Sequence, residues 1–167
     1  MNQQIDLVTD DRQFITLAAL AREIWEQHFV PIIGQEQVQY MLEKFQSAQA
    51  MKSQTASGCE YYLALQKNEP TGYCAIRPNK PSGKLMLSKL YVRHVTRGHG
   101  VGSRLLEVAC EKAVETRAKV VWLTVNRHNS QAIEWYQRKG FTITDEQKAD
   151  IGRGFYMDDF IMELTVF

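Results

Sequence analysis

No pair of cysteines in this chain has the CxxC spacing, and the three present, Cys59, Cys74 and Cys110, are odd in number. That argues against a disulfide framework or a cysteine-based zinc site and suits a reducing compartment. No metal site is expected. No apolar run approaches the roughly 20 residues that a membrane-spanning helix needs, so no membrane partner is expected. The opening segment, MNQQIDLVTDD, is polar and acidic and lacks the apolar stretch of a signal peptide, which points to a cytoplasmic protein. A dominant charge is missing too. Twenty Lys and Arg against nineteen Asp and Glu leave a net charge of +1, without the basic excess of a nucleic-acid binder. Internal repeats and low-complexity stretches are also missing.

What is present is the composition of one globular domain spanning residues 1–167. At 44% hydrophobic and 23% charged, the chain can bury a sizeable core. A short strand is expected at Gln4–Val8. Asp10 or Asp11 then caps a helix with its apolar stripe on Leu17, Leu20, Ile24 and Phe29, which Pro31 and Gly34 end. A second helix is expected over Gln35–Ser47. Tyr61–Gln66 and Gly72–Ile76 read as a hairpin. Lys84–Val92 reads as a strand with Met86, Ser88, Leu90 and Val92 on one face and Leu85, Leu87, Lys89 and Tyr91 on the other. A helix from Gly98 to about Arg117, an apolar strand at Val120–Val125 and a helix at Asn129–Lys139 follow. Strands at Phe141–Thr144 and Phe155–Val166 close the chain. The order predicts an α/β (α+β) three-layer fold with a mixed sheet. The last segment, Phe160–Phe167, is apolar and reads as a sheet edge, which invites pairing with a second copy as a homodimer.

The sharpest signal is Arg97-Gly98-His99-Gly100-Val101-Gly102-Ser103, where a strand gives way to an amphipathic helix. Glycines let the backbone approach a ligand, and amides at a helix start attract an anion such as a pyrophosphate. A Walker loop would need a lysine before the serine, and a dinucleotide fingerprint would need GxGxxG directly after its strand; neither is present. A plain tight turn, with glycines for packing, is the alternative.

These residues resemble the GNAT N-acetyltransferase superfamily, whose signature Arg/Gln-x-x-Gly-x-Gly/Ala is matched by Arg97–Gly102. A second match lies in Asn129-Ser130-Gln131-Ala132-Ile133-Glu134-Trp135-Tyr136, closing on Gly140-Phe141. The resemblance implies a central, mostly antiparallel twisted sheet of six to seven strands flanked by about four helices, and an acetyl-CoA-dependent N-acetyltransferase working through a ternary complex. It implies that the backbone of Leu90, Tyr91 and Val92 meets the pantetheine arm. It further implies that Arg97, Gly98, His99, Gly100, Val101, Gly102 and Ser103 hold the pyrophosphate, that Asn129 touches the pantetheine or starts the last helix, and that Tyr136 is the general acid. The runs Trp25–Phe29, Tyr40–Ser47 and Asp150–Asp159 are similar to those of a bacterial subgroup. A module that binds acyl-CoA without catalysis is the other reading.

The acceptor, a primary amine of a small molecule or peptide, is expected against the first helices and last strands. Candidates there are Trp25, Glu26, Phe29, Tyr40, Asp158 and Asp159, with Glu26 as a base acting through water. Only one of Asp158 and Asp159 can face a given pocket, because successive strand residues point to opposite faces. Trp25, Phe29 and Tyr40 can equally be core aromatics. His28 and His94 are further candidates as bases.

Overall fold

The computed structural model describes residues 3–166. Helix α1, Asp11–His28, starts at a capping box in which Asp10 accepts from the Gln13 amide and the Gln13 side chain accepts from the Asp10 amide. Phe14, Leu17, Leu20, Ala21, Ile24 and Trp25 form its buried stripe. The chain then makes a single turn, α2 at Val30–Ile33, with Pro31 inside its first turn, where the missing amide costs nothing. Pro31 therefore opens α2, and α1 has already ended at His28. Helix α3, Gln35–Phe45, is followed by α4, Ala48–Ala56, which Ser47 caps. The sequence pattern had no helix at α4, and Ser47 belongs to its cap instead of to α3.

Seven strands form one sheet: β1 (Gln4–Leu7), β2 (Glu60–Gln66), β3 (Glu69–Pro78), β4 (Lys84–Val92), β5 (Val120–Asn126), β6 (Thr142–Gly152) and β7 (Phe155–Thr165). Their spatial order is β1-β2-β3-β4-β5-β7-β6. Every neighbouring pair is antiparallel except β4 and β5. Helix α5 (Val101–Glu115) and helix α6 (Ser130–Arg138) complete a set of six helices among the described residues. Two cores flank the sheet. Phe14, Leu17, Ile24, Tyr61 and Tyr73 lie on the α1–α4 side, and Ile76, Leu85, Leu105, Leu123 and Met162 lie on the α5–α6 side. Three layers result, as the element order predicts.

Two expectations need correction. The final strand is not an edge. β7 lies between β5 and β6, so all of its ladder positions have neighbours, and the edges among the described residues are β1 and β6. Phe167 lies outside the described residues. The clean alternation expected along β4 is also broken. Ala75 pairs with Lys89 and Ile76 with Leu87, so Ser88 is an extra residue, a β-bulge. Beyond it the parity flips. Leu85, Leu87, Leu90 and Val92 share the α5–α6 side, whereas Lys89 reaches the backbone of Phe45 at the end of α3 and Tyr91 packs with the α1 core.

One close approach fixes α5 on the sheet. A Cβ at Gly72 would lie 2.8 Å from the Tyr91 carbonyl oxygen and 3.1 Å from a Val101 methyl. Glycine at 72 lets the first turn of α5 lie directly on β3 and β4.

Candidate active site

β4 and β5 pair only through Lys84–Met86 and Val120–Trp122. Past that seam β4 bulges at Ser88 and the strands splay. From Leu87 to Val92, β4 is paired on its β3 side alone, and from Leu123 to Asn126, β5 is paired on its β7 side alone. The edges that face each other across the gap keep free backbone donors and acceptors. A cleft of about 760 Å³ occupies the gap and opens on both faces of the sheet. Leu90, Val92, Gly102 and Trp135 line it on the α5–α6 side, and Trp25, Phe29, Met41 and Met157 line it on the other.

The glycine turn closes one end. After β4 a short 3-10 turn, His94–Thr96, leads to Arg97, and Gly98 and Gly100 both take positive φ, 84° and 81°. Gly100 is the left-handed residue at which α5 begins. Among the described residues no amide from Gly98 to Ser103 has a backbone acceptor; the first is Arg104, which donates to Gly100 at 3.0 Å. Those amides sit at the positive end of a helix of 15 residues. Lys139 adds a cation by donating to Ser103 Oγ at 2.7 Å. Arg97 and Arg138 line the same end. A Cβ at Gly102 would come within 3.1 Å of the Trp135 ring, so the turn and α6 touch there. His99 is exposed and is not part of the lining.

Tyr136 projects from α6 into the cleft, 7% exposed, with Trp135 and Phe141 edge-on to its ring. Its hydroxyl makes no hydrogen bond among the described residues. Burial pushes its pKa up, so the phenol keeps its proton at neutral pH. Asn129, buried at the α6 N-cap, accepts at Oδ1 from His28 Nε2 across 3.0 Å, which links α1 to α6 over the cleft. Because an amide oxygen can only accept, this bond fixes the His28 proton on Nε2 and commits that nitrogen.

Asp158 and Asp159 part company as a strand requires. Asp158 turns out to Arg127, 2.8 Å away. Asp159 turns into the cleft, 4% exposed. Desolvation and the neighbouring Asp158 charge raise its pKa to about 6, against the opposing effects of Arg127 and a hydrogen bond from Thr124. The Tyr91 hydroxyl lies within electrostatic range of both Tyr136 and Asp159, and burial holds it protonated. The cleft thus contains a phenol, a carboxyl group poised near neutrality, and an open strand edge.

Two expected residues lie elsewhere. Glu26 is on the solvent side of α1, where it pairs with Arg22 at 3.3 Å and accepts from Gln39, and it does not line the cleft. Tyr40 donates to the Ile151 carbonyl at 2.5 Å and packs on Phe155, also away from the cleft. Trp25 and Phe29 do line it. Lys139, Thr124, Arg77 and Lys89 went unnoticed in the sequence as site residues. Nothing in their local pattern separates them from surface or strand residues, because strand pairing brings Thr124, Arg77 and Lys89 here and the packing of α6 on the glycine turn brings Lys139 to Ser103.

Residues 17–141 match the Acetyltransferase (GNAT) family. The chain is 28% identical over 142 residues, covering 80% of it and 82% of the relative, to an uncharacterized N-acetyltransferase in the pepI 3′ region of Lactobacillus delbrueckii subsp. lactis. It is 27% identical over 97 residues, 58% of this chain and 67% of the relative, to the 5-NmdU N-acetyltransferase of Pseudomonas phage PaMx11. Among solved structures it superposes on the PaiA N-acetyltransferase of Thermoplasma acidophilum, solved in complex with coenzyme A, with a TM-score of 0.82, 22% identity and 99% of each chain covered.

Proposed function

The chain belongs to the acetyltransferase (GNAT) family, and on that premise we propose that it transfers the acetyl group of acetyl-CoA directly to a primary amine in a ternary complex. The observation that carries the reading is the splayed β4–β5 gap, with unpaired amides at one end and Tyr136 and Asp159 inside it. The coenzyme A bound by the Thermoplasma acidophilum relative supports it.

In this reading the amides of Gly98–Ser103, with Arg97 and Lys139, hold the donor pyrophosphate. The free edge of β4 from Leu87 to Val92 pairs with the pantetheine amides, and Asn129 faces the same arm. The acceptor enters from the α1–α3 side between Trp25, Phe29 and Met41. Asp159 binds the ammonium and takes its proton, leaving the lone pair free to attack. As the nitrogen–carbon bond forms, a β4 amide near Leu90–Val92 donates to the developing oxyanion. When the carbon–sulfur bond breaks, Tyr136 gives its proton to the thiolate, and the second proton of the attacking nitrogen passes to the phenolate as the amide forms. A general acid or base so placed contributes about 10²–10⁴-fold.

Calorimetric titration with acetyl-CoA, with and without magnesium, followed by a thiol-release screen of amines, tests the proposal. Magnesium-independent binding and amine-dependent thiol release are expected. Absence of binding at millimolar acetyl-CoA refutes it.

A further inference from the structure

The acceptor half of the cleft has a directional charge pattern. Asp159 is the one carboxylate in its lining among the described residues, and it sits at the Tyr91 end. The opposite end carries Arg77 and Lys89. Arg77 shares the β3 face of Tyr73 and Ala75, which belong to the α1-side core, and it pairs with Met86 near the start of β4. Its guanidinium has no hydrogen bond or ion pair among the described residues. Lys89 differs: Phe45 O at 2.8 Å, Gln54 Oε1 at 3.0 Å and the Tyr61 hydroxyl take its donors. Those bonds commit Lys89, and Arg77 contributes the free donors. Between the two ends the walls are mainly the apolar Trp25, Phe29, Met41, Phe45 and Met157, and the amides that join them, Gln37, Gln46 and Gln54, are hydrogen-bonded to the protein itself.

Tyr91 pairs with Tyr73 and Met86 pairs with Arg77. The four-residue step along β3 separates the backbone positions of the two ends by roughly 13 Å at about 3.3 Å per residue. A second cationic group would meet Arg77 and be repelled. An α-amino acid, whose nitrogen and carboxylate share one carbon, is too short to touch both ends.

We propose that the acceptor is an elongated primary amine with an apolar body and a carboxylate at its far end, with the amine at Asp159 and the carboxylate on the free guanidinium of Arg77. The proposal rests on the acetyl-transfer reading above and narrows its substrate class. It disfavours diamines and polyamines, which that reading alone admits.

Three probes of matched length test it with saturating acetyl-CoA: 8-aminooctanoate, octylamine and 1,8-diaminooctane. A charge-assisted hydrogen bond to Arg77 predicts kcat/KM for 8-aminooctanoate about 10- to 100-fold above that for octylamine, with the diamine lowest. Arg77→Gln brings the 8-aminooctanoate to octylamine ratio towards one, chiefly through KM, and Arg77→Lys retains part of it. Unchanged melting curves for both variants exclude misfolding as the cause. A preference for the diamine, or a ratio that Arg77→Gln leaves intact, overturns the proposal. Thiol release from octylamine without any distal-charge preference, or turnover of none of the three, overturns this proposal alone, whereas absence of acetyl-CoA binding overturns the acetyl-transfer reading with it.

Discussion

Replacing Asp159 by asparagine should stabilise the protein while disabling it. The carboxyl is buried in the cleft, and its pKa rises from the ordinary carboxylate range to about 6. Between the unfolded value, near 3.9, and about 6 the folded state binds more protons than the unfolded state, so stability falls as pH climbs through that window. Above pH 6 the full penalty applies. Two pKa units at about 1.4 kcal/mol each place its upper bound near 3 kcal/mol. The asparagine side chain carries no charge and escapes the penalty, with about 1–3 kcal/mol of stabilisation expected at pH 8. For a chain of this size that raises the melting temperature by roughly 3–10 °C. The gain should vanish at pH 4, where aspartic acid is itself neutral. Lys89, whose burial lowers its pKa to about 7, titrates in a higher window and cancels when variant and parent are compared at one pH. The kinetic readout should move the other way. Parental kcat/KM for the amine should rise as pH increases through about 6, and the variant should lose about 10²–10⁴-fold and that rise with it. Melting curves at pH 4 and pH 8, paired with thiol-release kinetics, check both. A variant that melts no higher than the parent at pH 8, or that keeps parental turnover, refutes the reasoning.

Tyr136→Phe should retain acetyl-CoA affinity by titration while kcat falls about 10²–10⁴-fold, because only the departing thiolate needs its proton; equal losses in binding and turnover would assign it a packing role. Lys139→Ala removes the cation on Ser103 and should weaken acetyl-CoA binding about 3- to 10-fold, in a salt-dependent manner, without altering kcat at saturation. Gly72→Ala forces a methyl against the Tyr91 carbonyl at 2.8 Å and should cost about 1–3 kcal/mol in urea unfolding, because the obstacle is backbone and cannot swing away.

The glycine turn was legible because its requirement is for backbone, and glycine spacing records that requirement directly. The α1 cap at Asp10 or Asp11, which falls at Asp10, and the apolar β5 were legible for the same kind of local reason. Features set by pairing were not. Nothing in Leu87-Ser88-Lys89 announces a bulge, yet the bulge decides that Leu87 and Lys89 face opposite layers and that Leu87 and Leu90 share one. Helix α4 buries only Met51, too little for an apolar stripe. Most of β6 has exposed side chains, so only its ladder to β7 marks it as a strand over its full length. The last segment reads as an edge because it comes last, whereas the chain inserts it beside β5. In the site, strand parity separates Asp158 from Asp159 without saying which is inside. For Glu26 the i,i+4 spacing from Arg22 already marks the outer face of α1, and only the contact with Gln39 of α3 needed the structure.

The seam between β4 and β5 is three residue pairs long, the shortest ladder in the sheet. The sheet is therefore two slabs, β1–β4 and β5–β7, stitched at one end like an open book. A pantetheine chain laid along the free edge of β4 would act as a partial extra strand, returning hydrogen bonds that the protein withholds. Slow amide exchange along Leu87–Val92 would then be a property of the loaded molecule, and the book would loosen again each time spent coenzyme departs.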